Sequence, residues 1–376
     1  MPRHSIQPTR SCRRLTLLNS SLSGYGWHST LDTAFAPYAA EGLVPARIVR
    51  VYGDLCDAAT ASGPVRAGIA PITSSDPLKW VCTGDWAALD LGGDPFLVRA
   101  LLPRSTAIVR NTSTRRSEGQ VLAANVDHAV VAVSLAAELD LGRVERFLAL
   151  AWESGAQPLV VLTKSDLVPD PALGHLLADT EAAAPGVQVL AVSAVTGEGL
   201  DVLAAILSGT TSVLLGQSGA GKSTLVNALL GEEPQQVRAI RDADGKGRHT
   251  TTTRDLLPLP GGGVLIDTPG LRGVGMWDAE SGVAQVFAEI EELARECRFH
   301  DCAHTAEPGC AVLGALEDGT LPQRRWESYL KLLRENARIA ARTDARLHAE
   351  RRREWKRRAA SGRASAEAKR GGRTPR

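Results

Sequence analysis

A glycine-rich segment beyond the middle of the chain has the spacing of a phosphate-binding loop. Residues 216–223 read GQSGAGKS, which fits G-x-x-x-x-G-K-[S/T] between a strand pattern and a helix pattern. Glycines let backbone N–H groups surround phosphates, and the N-terminus of the following helix adds positive potential. We expect Lys222 to contact the terminal phosphates during catalysis and the Ser223 hydroxyl to ligate Mg²⁺. The residues predicted to bind the nucleotide here are Gly216, Gln217, Ser218, Gly219, Ala220, Gly221, Lys222, Ser223 and Thr224.

A D-T-P-G segment follows a second apolar strand pattern, about 45 residues after this loop. An Asp at a strand end in such a domain usually holds the Mg²⁺ shell through water, so Asp267 is predicted to do so. Gly270 can offer its backbone N–H to the terminal phosphate. D-x-P-G alone is a common turn, and its position after the phosphate loop makes it informative.

The segment T-K-S-D at 163–166 predicts selection of guanine. The Asp166 carboxylate can accept hydrogen bonds from N1–H and the 2-amino group of guanine, a pattern that adenine lacks. Lys164 would pack its stem over the base, and Thr163 stands where Asn is usual. A Ser-Ala pair after the next strand pattern would offer a backbone N–H to the guanine oxygen. The residues predicted to bind the base are Thr163, Lys164, Ser165, Asp166, Ser193 and Ala194.

The order of these segments is unusual, because the guanine segment precedes the phosphate loop. All strands of the domain are still present, so the sheet can form with its termini moved. The sequence therefore predicts a circularly permuted GTPase domain. The chain after Gly270 then leads directly into the C-terminal region, which nucleotide state could move.

A polar stretch between the phosphate loop and D-T-P-G contains the run H-T-T-T-T. One threonine is expected to close over Mg²⁺ when GTP is bound, and Thr251 is favoured while Thr250 and Thr252 stay open. Leu271 stands where many GTPases keep a glutamine that positions water. Because an apolar side chain cannot orient water, His249 is predicted to do so.

Three cysteines and two histidines crowd into a short segment near residue 300. Three thiolates and one imidazole close a tetrahedral shell, which indicates one structural Zn²⁺ with no open position. His300 is an alternative fourth ligand to His304, which is better placed to fold back on the metal. The predicted ligands are Cys297, Cys302, His304 and Cys310.

The pattern of elements predicts a multidomain protein. Short strands with turns indicate a β-barrel of the OB type, although periodicity alone does not separate it from an SH3-like barrel. Continuous apolar strands alternating with helices then indicate a doubly wound α/β P-loop domain, and a mainly helical zinc-binding region follows. The predicted units are an N-terminal extension at 1–43, a barrel at 44–114, the permuted GTPase domain at 115–282, the zinc-binding domain at 283–345 and a basic, partly disordered tail at 346–376.

Charge is distributed unevenly along the 376 residues, although 43 Lys and Arg nearly balance 42 Asp and Glu. From Arg324 to Arg376 there are 18 basic and 6 acidic residues, a surplus that suits contact with phosphates. No apolar run approaches the roughly 18 residues that span a bilayer, and the N-terminus lacks a signal-peptide core. We therefore expect a cytoplasmic protein that does not enter a membrane.

Together these motifs resemble the ribosome small-subunit-dependent GTPase A family, also called RsgA or YjeQ. The resemblance includes the permuted order, the H-T-T-T run, the cysteine cluster, Gly84-Asp85-Trp86 and the segment Ala123–Asp127. It implies an OB-fold, a permuted GTPase domain and a zinc domain. It also implies that His249 is the hydrolytic residue.

The resemblance further implies late maturation of the small ribosomal subunit, with GTP hydrolysis to GDP and phosphate stimulated by that subunit. The partners would be the subunit and its rRNA, and we expect a monomer. Three alternatives remain at this stage: a GTP-switched rRNA-binding module, a GTPase of large-subunit assembly, and an ATPase. Asp166 argues against the ATPase, and the barrel with the zinc cluster argues against the large-subunit role.

Overall fold

The structure is a computed structural model that describes residues 22–111, 119–231, 254–268, 275–276 and 279–339. Several predictions concern residues outside these ranges. These undescribed residues include the start of the N-terminal extension and the basic tail. They also include the predicted site residues His249, Thr250, Thr251, Thr252, Gly270 and Leu271.

The N-terminal extension packs on the barrel through aromatic side chains. Helix Ser29–Ala40 buries Leu31 and Phe35. The Trp27 ring meets Trp86 of the barrel nearly at right angles, with centroids 4.9 Å apart. Such edge-to-face pairs add to the free energy of burying their apolar surface.

Five strands close into the predicted N-terminal barrel. They are β1 (Val44–Tyr52), β2 (Leu55–Thr60), β3 (Gly63–Gly68), β4 (Trp86–Asp90) and β5 (Phe96–Leu101). Their order around the barrel is β1-β2-β3-β5-β4, and only β3 and β5 run parallel. This Greek-key order confirms the OB type over the SH3-like alternative.

A small sheet connects the barrel to the rest of the chain. Strands β6 (Ala107–Asn111) and β7 (Gly119–Ala124) form an antiparallel pair. The edge of β6 pairs with a two-residue strand, β14 (Gly275–Met276). The segment that follows D-T-P-G is therefore tied to the strands that leave the barrel.

A six-stranded sheet forms the centre of the molecule. Its strands are β8 (His128–Ser134), β9 (Gln157–Thr163), β10 (Gln188–Val192), β11 (Thr211–Leu215), β12 (Asp255–Pro258) and β13 (Val264–Asp267). The order is β10-β9-β8-β11-β13-β12, with only β12 antiparallel. The predicted continuous apolar strands are confirmed as the parallel strands of this sheet, and β12 is an edge strand that the sequence patterns missed.

Helices cover both faces of this sheet, as continuous apolar strands require. Helix Leu141–Glu153 buries Val144, Phe147 and Leu148 against one face. On the opposite face, helices Leu200–Leu207 and Lys222–Leu230 contribute further apolar side chains.

The C-terminal region is helical, with helices Glu280–Val286, Ala288–Arg295, Ala311–Glu317 and 323–339. Gly282 packs so closely on helix Leu141–Glu153 that a Cβ there would overlap the Ala149 carbonyl oxygen. Among the described residues, no helix combines the length and apolar character needed to cross a membrane.

Candidate nucleotide and metal sites

The predicted nucleotide-binding segments meet at one edge of the central sheet. The phosphate loop follows β11, the guanine segment follows β9, Ser193 follows β10, and Asp267 ends β13. These strands are parallel, so their carboxyl ends lie together, where ligands of open α/β sheets bind. The altered chain order therefore leaves the arrangement of the site intact.

The phosphate loop depends on close approach to a neighbouring strand. Gly216 has a φ of 143°, and a Cβ there would lie 2.5 Å from the Ala132 carbonyl oxygen. Lys222 Nζ donates to the carbonyl oxygens of Gly216 at 2.8 Å and Gln217 at 2.6 Å. Burial lowers the pKa of Lys222, while the charge of Asp267 acts to raise it. The Lys222 ammonium is thus held within its own loop and beside the predicted Mg²⁺-shell residue.

The guanine segment is bonded to the phosphate loop. The Thr163 hydroxyl donates to the Ala220 carbonyl at 2.8 Å, and Lys164 Nζ donates to the Gly219 carbonyl at 3.1 Å. Lys164 itself adopts a left-handed conformation, with a φ of 62°. These contacts fix the separation between the base and phosphate regions.

Asp166 is oriented by the segment after β10. The Ser193 hydroxyl donates to Asp166 Oδ1 at 2.6 Å. The same hydroxyl oxygen accepts the backbone N–H groups of Val195 at 3.2 Å and Thr196 at 3.1 Å. Ser193 is buried and Asp166 is exposed, so the carboxylate is anchored and still accessible to a ligand.

A cavity of about 250 Å³ adjoins this site. It separates the phosphate-loop residues 217–220 from the loop after β8 and the start of helix Leu141–Glu153, and Lys164 lines it. Asp140 caps that helix by accepting the Arg143 N–H at 3.0 Å. The helix thus begins next to the phosphate loop and extends toward the C-terminal region.

Four potential metal ligands converge in the C-terminal region. The ligand atoms of Cys297, Cys302, His304 and Cys310 all lie within 4.8 Å of one another. The Sγ atoms of Cys297 and Cys310 are 3.8 Å apart, and His304 Nδ1 lies 3.3 Å from Cys310 Sγ. Zn–S bonds of about 2.3 Å in a tetrahedron place sulfurs at about this separation, so the donor set fits zinc. His300 is exposed and lies outside this group.

The loop around these ligands is organised by one carboxylate. Glu307 accepts the backbone N–H groups of Thr305 at 2.8 Å, Ala306 at 3.0 Å and Ala303 at 3.0 Å. These bonds, first the one from Thr305, lower the pKa of Glu307 to about 2. The carboxylate is therefore ionised at neutral pH and holds the turn that contains His304.

Comparison with known proteins accords with these sites. A family model described as RsgA GTPase matches residues 101–277. The chain is 71% identical over 355 residues to a "Small ribosomal subunit biogenesis GTPase RsgA" of Streptomyces coelicolor, covering 94% of this chain and 97% of that protein. A protein of the same name from Opitutus terrae is 42% identical, covering 89% of this chain and 95% of that protein. This chain belongs to the RsgA GTPase family.

Solved structures support the RsgA fold. The crystal structure of YjeQ from Thermotoga maritima has a TM-score of 0.58 at 24% identity and covers 78% of this chain and 99% of that chain. YloQ, described as a circularly permuted GTPase, has a TM-score of 0.57 at 22% identity and covers 78% of this chain and 95% of that chain. The predicted permutation is thereby confirmed, and as an RsgA GTPase the chain is a GTP-hydrolysing enzyme.

The sequence patterns missed a buried arginine between the RsgA barrel and GTPase domain. Arg47 on β1 donates to the Asn125 carbonyl at 3.1 Å and to Thr211 Oγ1 at 3.2 Å. Its guanidinium also lies over the Trp86 ring, 4.5 Å from the centroid. Burial lowers the pKa of Arg47 to about 10, against the opposing effect of Asp85, so it stays charged at neutral pH.

The two segments that resembled the family in sequence are in contact. Gly84 has a φ of 92°, and a Cβ there would overlap the Ala124 carbonyl oxygen. Asn125 Nδ2 donates to the Gly84 carbonyl at 3.0 Å, and Asn125 Oδ1 accepts the Ser105 N–H at 3.0 Å. Their role in this RsgA chain is to join the barrel to the first strand of the GTPase domain.

A buried ionic cluster joins the RsgA GTPase domain to the C-terminal helices. Arg325 Nη1 donates to Glu145 Oε1 at 2.8 Å, and Arg325 Nη2 donates to the Val286 carbonyl at 2.8 Å. Arg325 Nε donates to Glu289 Oε1 at 2.8 Å, and Ser328 donates to Glu145. Glu145 is fully buried in helix Leu141–Glu153. In the sequence, only its charge within an apolar pattern could have indicated this cluster.

Proposed function

We propose that this chain binds and hydrolyses GTP on the small ribosomal subunit during late maturation of that subunit. The observation that carries the proposal is the convergence of the phosphate loop, Asp166, Ser193 and Asp267 at one sheet edge. The names of the similar proteins supply the expected partner, small ribosomal subunits in biogenesis. Binding to the subunit and hydrolysis of GTP can be measured separately.

Each residue at the sheet edge has a proposed role in the reaction. Backbone N–H groups of residues 216–224 and the Lys222 ammonium bind the phosphates, where preorganised donors stabilise developing negative charge. Asp166 accepts two hydrogen bonds from guanine. The Ser193-Ala194 turn offers a backbone N–H to the guanine oxygen. Asp166 and this turn together select GTP over ATP.

The donor set also fits a magnesium ion. The Ser223 hydroxyl and Asp267 stand at the phosphate loop and at the adjoining strand end, and oxygen ligands suit Mg²⁺. Thr251, from the polar stretch between the phosphate loop and D-T-P-G (the switch loop), and the Gly270 N–H would complete the site. When bound, Mg²⁺ neutralises charge on the phosphates. His249 orients the attacking water, because Leu271 cannot.

The cluster of Cys297, Cys302, His304 and Cys310 is proposed to hold one structural zinc ion. Three thiolates and one imidazole fill a tetrahedral shell, so no position remains for a substrate or water. The ion stabilises a loop that is too short to form its own core. It takes no part in hydrolysis.

The proposed partner is the small subunit with its rRNA, bound by a monomer in the cytoplasm. The surplus of basic residues after Arg324 supplies electrostatic attraction to RNA phosphates. Binding to the subunit is expected to raise the rate of hydrolysis.

GTP turnover with and without purified small subunits tests this proposal. The wild type should turn over slowly alone and much faster with subunits. His249→Ala should lose roughly 100-fold or more of the stimulated rate, the range for positioned proton-transfer groups. Binding of a fluorescent GDP analogue should be unchanged, because His249 acts on water.

His175→Ala is the matched control, since His175 is exposed on helix Asp170–Ala183 and is not one of the residues assigned to the nucleotide site. It should behave as the wild type. Absence of stimulation in the wild type would refute the subunit as the activator. Full stimulation of His249→Ala would refute the hydrolytic role of that residue.

A further inference from the structure

A cavity of about 180 Å³ lies where the barrel and the β6–β7 sheet meet the segment after residue 253. Trp80, Cys82, Gln120 and Arg254 are among its lining residues. None of them belongs to the nucleotide site or to the cysteine cluster. The cavity is thus a separate feature, and its lining combines apolar residues, such as Val81 and Val121, with one aromatic ring and a few polar groups.

Arg254 lines this cavity, and Arg110 lies beside it, bonded to the lining residue Gln120. Within the part of the chain that the structure describes, no hydrogen bond or ion pair reaches the Arg254 guanidinium, and its Nε is buried. Arg110 donates through Nη2 to Gln120 Oε1 at 3.3 Å, and its Nε is likewise buried without a partner. Burial and then the charge of Arg110 lower the pKa of Arg254. Both arginines are half-buried with a buried Nε and no carboxylate partner among the described residues, so an anion would suit them, and the guanidinium fork matches phosphate.

An aromatic ring is held rigidly beside these arginines. Trp80 is 48% exposed, although it is a large apolar side chain. Its indole N–H donates to the Ser74 carbonyl at 2.8 Å, and its own carbonyl accepts Arg104 Nη2 at 2.6 Å. Single-stranded nucleic acid binds to exposed aromatic rings next to cations that lack a carboxylate, because bases stack on the ring while phosphates meet the cations.

We propose that this cavity binds a phosphate group of single-stranded RNA through Arg254 and Arg110, while a neighbouring base stacks on Trp80. The proposal rests on the proposed function for its choice of an RNA partner. It adds a defined subsite at the junction of the barrel and the GTPase domain.

The subsite also lies next to the switch loop in the chain. Arg254 directly follows the segment that contains His249 and Thr251. Its carbonyl accepts the Thr83 hydroxyl at 2.9 Å, and Asp255 pairs with Arg50 Nη2 at 2.9 Å. The end of the switch loop is therefore anchored on the barrel, and RNA bound at Arg254 would hold that end in place.

Binding of a short labelled single-stranded RNA, followed by fluorescence anisotropy across a salt series, tests the subsite. The full chain is saturated with GDP and Mg²⁺, so that the phosphate loop is already occupied. Arg254→Gln and Arg110→Gln should each reduce the slope of log affinity against log salt by about one. Trp80→Ala should weaken binding about 10-fold at an unchanged slope, because stacking is not ionic.

Arg99→Gln is the matched control, because Arg99 is an exposed barrel arginine already paired with Asp90 at 2.7 Å. Arg99→Gln should leave the salt slope unaltered. Arg254→Lys should have the wild-type slope, because lysine keeps the positive charge. Thermal midpoints establish which variants fold. If Arg254→Gln does not fold, Arg110→Gln still tests the site.

Equal slopes for the wild type and the folded glutamine variants would overturn the proposal. The proposal would also be overturned if the site bound only a free anion. In that case inorganic phosphate would raise the thermal midpoint of the wild type, while the salt slopes for RNA binding would be the same in the wild type and the variants. Because this experiment uses the GDP state and measures no turnover, its failure would leave the GTPase proposal untouched.

Discussion

Thr163 shows how a single side chain can connect two parts of a site. Its hydroxyl donates to the Ala220 carbonyl at 2.8 Å and approaches the Val133 carbonyl at 3.3 Å. A Cβ on Gly221, which has a φ of 79°, would lie 3.3 Å from the same hydroxyl. Because Gly221 has no side chain, the Thr163 hydroxyl has room to reach the phosphate loop.

At the residue scale, Asp166→Asn is predicted to change base preference. The asparagine cannot accept from both N1–H and the 2-amino group of guanine. Loss of charge-assisted hydrogen bonds worth about 2.7 kcal/mol should lower GTP affinity by about 100-fold. Xanthosine triphosphate should bind better than GTP, as competition with a fluorescent nucleotide would measure.

Asp170→Asn provides the comparison, because Asp170 is an exposed carboxylate at the start of the next helix. Its GTP affinity should match that of the wild type. Unchanged GTP binding by Asp166→Asn would show that the base is recognised elsewhere.

At the element scale, the cysteine loop and the helix after it form one unit. Cys310 is the N-cap of helix Ala311–Glu317, and its Sγ accepts the Leu313 N–H at 3.4 Å. The His304 ring meets Trp326 of helix 323–339 at a right angle, with centroids 5.9 Å apart. A metal ion bound here would stabilise the start of one helix and the packing of another.

Cys302→Ser is predicted to remove the zinc. The wild type should contain one zinc ion per chain by elemental analysis, and the variant should contain almost none after dialysis. Structural zinc contributes directly to folding, so the thermal midpoint should fall as well.

His300→Ala tests whether the loss is specific to the ligand cluster. His300 lies in the same loop, is exposed and stands outside the cluster. It should retain a full complement of zinc. Zinc retained by Cys302→Ser and lost from His300→Ala would mean that the ligands are assigned wrongly.

At the scale of the whole molecule, the buried cluster around Glu145 decides how the C-terminal helices sit on the GTPase domain. Helix Leu141–Glu153 begins at the cavity beside the phosphate loop. One turn further along, its Glu145 accepts a hydrogen bond from Arg325 of helix 323–339. At its other end, Glu153 Oε2 accepts the Gly282 N–H at 2.8 Å. This helix connects the nucleotide site to the C-terminal helices.

Glu145→Ala is predicted to lower the free energy of unfolding by about 3 kcal/mol, because it leaves the buried guanidinium of Arg325 short of a charged partner. Urea denaturation should show that the Glu145→Ala, Arg325→Ala double variant is destabilised by less than the sum of the single variants. Arg99→Gln, which breaks an exposed pair, should leave the free energy of unfolding nearly unchanged. Strict additivity would mean that the two charges do not act together.

Most of the fold and the candidate sites follows from short stretches of sequence. The phosphate loop, the guanine segment and the parallel strands each depend on neighbours within a few residues, since glycine spacing and apolar periodicity are local properties. Cys297, Cys302, His304 and Cys310 could also be grouped, because their spacing limits the loop that joins them. The order of the segments was enough to predict the permutation.

Other features were decided only by the tertiary structure. Arg325 and Glu145 are 180 positions apart, and Arg47 and Thr211 are 164 apart, so no local pattern links them. The edge strand β12 is short and pairs through its backbone, which leaves a weak periodic signal. A buried charge is stable only where distant segments bring its partners together. The sequence by itself therefore determined which ligands this protein can hold, and the tertiary structure decided how its domains are joined around them.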